Sequence, residues 1–241
     1  IGKISKVFAN NNNNDVIQIT SNGFDDTTMN ITTRNAHSMV AIETYIYIYG
    51  GNNGGILNDF YKIDTITGNV VYSNNDLSNI TKRYNHSMVA IETDIYIFGG
   101  NGGNGNELND FYKIDTINCN VVYSNVLSDI TPRSYHSMVA IDGDIYIYGG
   151  YNDSDFFNDF YKIDTITNCN VVHIDINLNG ITKRAYHSMV AIETDIYIYG
   201  GFDKSNGVTS RLNDFYKIDT INCNVVHSDD SLNNITKRYH H

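Results

Sequence analysis

Four histidines, His37, His86, His136 and His187, recur at one place in the sequence, each three residues after an arginine: Arg34, Arg83, Arg133 and Arg184. Imidazole is the commonest protein ligand for transition metals, so four of them brought to one axis would make a metal ring. The same residue in every copy is instead what a packing or hydrogen-bond requirement produces, and a site usually breaks repeat symmetry. We expect structural histidines and no metal. The arginines offer a planar fork suited to carboxylates. Their candidate partners are Asp59, Asp110, Asp159 and Asp214, and the expectation is that the pairs join neighbouring repeats. Arginines lining a central mouth for an acidic ligand are the other use considered.

The remaining reactive residue types give little. The pairs Gly50-Gly51, Gly99-Gly100, Gly149-Gly150 and Gly200-Gly201 precede no helix and no GK[ST] string, so they are not a phosphate loop. They suit positive φ or close backbone approach at a strand end. Cys119, Cys169 and Cys223 each sit in the string NCNVV. Equivalent positions on successive repeats lie too far apart for a disulfide, and no CxxC spacing marks zinc. Free thiols in a reducing compartment, and a cytoplasmic location, are expected. No Ser/His/Asp set stands clear of the repeat background, so no catalytic residue is assigned and no cofactor is expected. Sequons at Asn30, Asn79, Asn152 and Asn234 follow from abundant Asn and repeat copying.

These residues ride on a repeat. The string RYNHSMVAIETDIYIFGG, from Arg83, recurs nearly verbatim from Arg34, Arg133 and Arg184, a period near fifty residues. Each copy holds four short runs of β character. In the first copy these are His37 to Ile42, Tyr45 to Tyr49 with alternating Ile and Tyr, Leu57 to Asp64, and Val70 to Ser73, separated by turn signals. Apolar residues occupy both faces of such a sheet. Face-to-face stacking of the units hides them, and radial stacking leaves only short edges.

The chain has 241 residues and a formal net charge of −11. That charge is repelled by phosphate backbones and anionic lipid, which argues against nucleic-acid and membrane partners. No apolar run approaches the roughly 18 residues that a spanning helix needs. The chain opens on Ile1 and closes on ITKRYHH, the start of a further copy. We therefore expect a piece of a longer array.

The repeat resembles the kelch repeat. The resemblance rests on the di-glycine closing the second strand, the Arg-x-x-His-Ser opening, the Asn-Asp before the third strand and an aromatic within it, over roughly residues 34–227. It implies an all-β fold, a β-propeller of four-stranded blades. Four blades are full (34–82, 83–132, 133–183 and 184–237), residues 1–33 form outer strands of a partial blade, and 238–241 begin another repeat. The ring is expected to be larger than the chain. Kelch repeats usually carry a fourth-strand tryptophan; Val70-Val71 and its equivalents stand there instead, which predicts a lighter outer layer. The combinations that would mark copper oxidases or iron-dependent specifier proteins of this fold are missing.

The resemblance implies a non-catalytic protein-interaction module, such as the recruiting part of a ubiquitin-ligase adaptor or a cytoskeletal binder. The alternatives are a carbohydrate-binding or enzymatic propeller and a structural filament subunit. Strands are near copies, whereas the loops after the glycine pairs differ, and variable loops on a rigid scaffold are where binding concentrates. The candidate partner-binding residues are Asn53, Asn104, Glu107, Tyr151, Asp153, Asp155, Phe202, Asp203, Lys204 and Arg211, with Tyr84, Tyr135 and Tyr186 nearby.

Overall fold

The computed structural model describes residues 31–74, 77, 79–166, 169–174, 181–205, 208–222 and 224–229. The proposed partial blade (1–33) lies almost wholly, and the further repeat (238–241) and Cys223 lie entirely, outside these residues.

Sixteen strands form four antiparallel sheets of four. The first holds β1 (Ser38–Ile42), β2 (Tyr45–Asn52), β3 (Ile56–Asp64) and β4 (Val70–Asn74). The second holds β5 (Ser87–Ile91), β6 (Asp94–Phe98), β7 (Asp110–Asp115) and β8 (Asn120–Val126). The third holds β9 (Ser137–Ile141), β10 (Asp144–Tyr148), β11 (Phe160–Asp164) and β12 (Asn170–His173). The fourth holds β13 (Ser188–Ile192), β14 (Asp195–Ser205), β15 (Val208–Asp219) and β16 (Asn224–Asp229). Strands follow chain order within each sheet. The innermost strands β1, β5, β9 and β13 lie side by side around one axis, so the sheets are propeller blades. In the first and fourth blades the second strand continues past its glycine pair through a register shift, whereas β6 and β10 stop before it.

The Ile/Tyr alternation divides each blade into two faces. Successive strand residues point to opposite sides. Ile95 and Ile97 of β6 pack on the first blade with Tyr47, Tyr49 and Phe60. Tyr96 and Phe98 of the same strand turn to the third blade and meet Ile145 and Ile147. The pattern repeats with Tyr146 and Tyr148 against Ile196 and Ile198. Every internal interface thus joins an aromatic face to an isoleucine face. Leu77 and Ile80, Leu127 and Ile130, and Ile181 come from the inter-blade connections and plug these layers. The fourth strands are lightly covered, with Val71, Val122 and Val172 about half exposed, as the missing tryptophan predicts.

The Arg-x-x-His-Ser string stitches blade to blade through its backbone and its serine. The Arg83 N–H donates to Leu57 O of the first blade at 3.1 Å, and Arg83 O accepts from Gly51 N at 2.9 Å. Arg133 and Arg184 repeat both bonds. Ser38, Ser87 and Ser137 donate to the carbonyls of His86, His136 and His187 in the next blade. The glycine pair is required by this seam. Gly99 has φ +62°, and a β-carbon there would lie 2.8 Å from Arg133 O.

The ion pairs differ from expectation. Their partners are the expected aspartates, but each pair lies within one blade. Arg83 grips Asp110 through Nη1 at 2.6 Å and Nη2 at 2.7 Å, and the other three arginines hold Asp59, Asp159 and Asp214 in the same two-pronged way. Nη1 of Arg83 also donates to Gly99 O and Nε to Thr81 O. Arg83, Arg133 and Arg184 are 0 % exposed, which removes them as ligands for an acidic molecule at a mouth.

Removing the carboxylate would strand a buried cation, which typically costs about 3–5 kcal/mol. Asp110→Ala should destabilise the chain by about that amount in urea unfolding. Asp94→Ala, which breaks the more exposed pair of Asp94 with Lys113, should cost under about 1 kcal/mol. Equal losses in the two variants would contradict this account.

Candidate functional site

At the glycine-pair end, each blade's second and third strands finish in a hairpin tip. The residue after each arginine pairs with the residue after each glycine pair: Asn35 with Asn52, Tyr84 with Asn101, Ser134 with Tyr151, and Ala185 with Phe202. This bridge lays each tip beside the axis. The next residues, Ala36, Asn85, Tyr135 and Tyr186, all have φ between 54° and 60°. They form a backbone chain from blade to blade: Asn85 N to Ala36 O, Tyr135 N to Asn85 O, and Tyr186 N to Tyr135 O, each 2.9–3.0 Å. These four residues and the four histidines line an axial cavity of about 250 Å³. A second cavity, of about 320 Å³, continues along the axis beside the serine and methionine rows of the inner strands.

The tips touch one another. Ile56 Cδ1 of the first blade lies 2.6 Å from the β-carbon position of Gly103 in the second. The Asp153 carboxylate of the third blade, an exposed side chain, reaches over Gly105 of the second. Asp155 accepts from Lys183 at 2.8 Å, and Lys204 of the fourth blade adds to the pull that lowers its pKa.

The aromatic residues gather. Tyr135 and Tyr186 lie with ring centroids 3.8 Å apart, and Phe202 sits edge-on to Tyr186 at 6.0 Å. Tyr151 packs on Phe156 at 5.0 Å. Burial first, then hydrogen bonding and charge from Tyr135 and weaker coupling to Tyr151 and Tyr84, push the Tyr186 hydroxyl pKa well up. Burial and the nearby Glu107 and Asp153 also raise Tyr84 and Tyr151. Four tyrosines and two carboxylates therefore share one neighbourhood. Glu107 Oε1 accepts from Asn101 Nδ2 at 2.9 Å.

The other candidates are placed differently. Asn53 and Asn104 are exposed turn residues, the first accepting from Gly55 N through its side chain and the second with φ 55°. Asp203 is buried at 5 % exposure, away from the surface. Residues 202–205 and 208–211, read in the sequence as loop, are strand: Phe202 pairs with Arg211 and Lys204 with Thr209. Lys204 and Arg211 remain exposed on that ribbon. Sequence reasoning overlooked Lys183 because it belongs to the recurrent ITKR string, and overlooked Gly105 because its neighbour Asp153 belongs to another blade.

The histidines belong to the packing. His86, His136 and His187 lie edge-on to Tyr49, Phe98 and Tyr148 of the preceding blade at 5.1–5.3 Å. Among the described residues, no group of three or more His, Cys, Asp or Glu is disposed to hold a metal ion. Cys119 and Cys169 are free and buried.

The family model for the KLHDC2/KLHL20/DRC7 Kelch-repeats domain matches residues 9–130 and 126–241. The chain belongs to the kelch-repeat family. Kelch propellers are generally protein-interaction modules and generally non-catalytic. A search of curated proteins returned no match.

The kelch histidines carry a pH consequence. Burial, and next the Arg133 charge, lower the His136 pKa to about 3. Burial lowers His86 as well, with Arg83, His136 and His37 adding to it. An unfolded histidine takes its proton near 6.5. Between that value and about 3 the unfolded chain binds more protons, so stability falls as pH drops through this window. The unfolding free energy should decline from pH 7 to pH 5. His136→Gln should flatten the slope by up to about 1.4 kcal/mol per pH unit. A slope parallel to the parent's would refute the assignment.

Proposed function

We propose that the chain is a non-catalytic interaction module that seats a protein partner on the hairpin-tip end of the propeller. One observation carries this reading. Beneath the glycine pairs the four blades repeat the same seam and the same ion pair, while above them four chemically different tips converge beside an axial cavity. A rigid scaffold whose arginines, aspartates and seam backbone are paired internally leaves the variable tips to bind. The half-exposed tyrosines Tyr84, Tyr135, Tyr151 and Tyr186 are of the kind enriched where proteins meet. We further propose that binding occurs in the cytoplasm, in keeping with the free thiols of Cys119 and Cys169, and that the propeller recruits its partner to a larger assembly, as a ubiquitin-ligase adaptor or cytoskeletal binder would.

Affinity capture with the parent chain should recover a discrete protein. The triple variant Tyr151→Ala, Asp153→Ala, Arg211→Ala should lose it with an unchanged unfolding midpoint. Ile117→Ser, in the exposed turn joining β7 to β8, should still recover it. Loss with Ile117→Ser and retention with the tip variant would place binding elsewhere and defeat the proposal.

A further inference from the structure

We propose that the tyrosine-lined mouth between the second, third and fourth blades receives a basic side chain of the partner, an ammonium or a guanidinium. This deepens the interaction-module reading and rests on it. The mouth is a built concavity: the paired rings of Tyr135 and Tyr186 line the axial cavity, and Phe202 stands edge-on beyond them. Its polar groups on the second and third tips include two carboxylates, Glu107 and Asp153. Glu107 commits one carboxylate oxygen to Asn101, while among the described residues the side chains of Asp153, Tyr84 and Tyr151 make no hydrogen bond. The exposed Asp153 side chain reaches over Gly105 of the neighbouring tip.

These groups select by charge. A cation over tyrosine rings is attracted by their negative faces, and a carboxylate beside it adds a charge-assisted hydrogen bond. An acidic side chain would be repelled. An apolar one would strip water from Asp153 and give nothing back. Of the basic residues at this end, Lys183 is bound to Asp155 of the third tip, while Lys204 and Arg211 lie on the fourth blade's ribbon, Arg211 opposite Phe202. The cation-accepting groups are thus Glu107 and Asp153 of the second and third tips, and the chain's net charge of −11 favours encounter with basic partners in general.

The test uses the whole chain and fluorescein-labelled Gly/Ser decapeptides with two central residues varied: Lys, Arg, trimethyl-Lys, norleucine or Glu. In fluorescence polarisation the Lys, Arg or trimethyl-Lys peptide should bind at least about tenfold more tightly than norleucine or Glu. Glu107→Gln with Asp153→Asn should abolish that preference. Asp115→Asn with Asp219→Asn, which removes the same charge at the opposite end, should leave it in place. Equal binding of the basic and norleucine peptides, or no binding of any, overturns the proposal. So does a preference that both double variants weaken alike, which marks general attraction to an acidic chain. If the protein captured by the parent chain is still captured by the Glu107→Gln, Asp153→Asn variant, this inference fails while the interaction module stands.

Discussion

The structure depends on a buried guanidinium. Each complete blade carries such an arginine, with no solvent contact in the second to fourth blades and little in the first, and all three of its guanidinium nitrogens donate. Asp110 takes two bonds from Arg83, and Gly99 and Thr81 supply carbonyls. The ring of Tyr112 lies 5.1 Å from the charge. Such a pair contributes little net stability relative to apolar packing, because both charges lose their water. Its value is positional. With the side chain fixed in its own blade, the backbone of the same residue is presented to the preceding blade, donating to Leu57 and accepting from Gly51. One residue thus converts order within a sheet into registry between sheets. The glycine pair, the histidine and the serine are consequences of that close approach.

The same constraint explains which features could be read from the sequence. Strand alternation, the glycine breaks and the four-strand unit were legible because they are local and repeated four times. The Arg–Asp partnership was legible too, since both residues recur together. Which blade each pair belongs to was not. Asp59 lies 25 residues after Arg34 and 24 before Arg83, so separation along the chain favours neither assignment. The geometry decides: the strand bearing Asp59 belongs to the blade that Arg34 opens.

At the tips, legibility stops sooner. Divergence among near-identical copies located the variable segments, but it carries no information about how far each tip leans toward the axis. That is set by the bridge between the residue after the arginine and the residue after the glycine pair, a combination of side chains that differs in every blade. The fourth tip contained an overlooked signal. Its Asn-Gly dipeptide lies between Ser205 and Val208, the pattern that favours a tight hairpin over a loop. Burial of Asp203 follows from its place on that ribbon, whereas composition alone put it at the surface.

The contrast between the two ends of the molecule shows why asymmetry matters here. At the far end, Ile66, Ile117, Ile166 and Ile221 occupy equivalent turns and are each 72–79 % exposed. Their repetition is copied with the blades and distinguishes no direction around the axis. At the near end the copies break: Glu107 and Asp153 on the second and third tips, Lys183 bound to Asp155 of the third, and Lys204 and Arg211 on the ribbon of the fourth. Screening confines such fields to about 8–10 Å in physiological salt, roughly the spacing between packed sheets. Neighbouring tips can therefore keep opposite electrostatic character without cancelling. A fourfold-similar scaffold acquires a polar axis across its mouth from a few tip residues, while the buried arginines beneath remain the same.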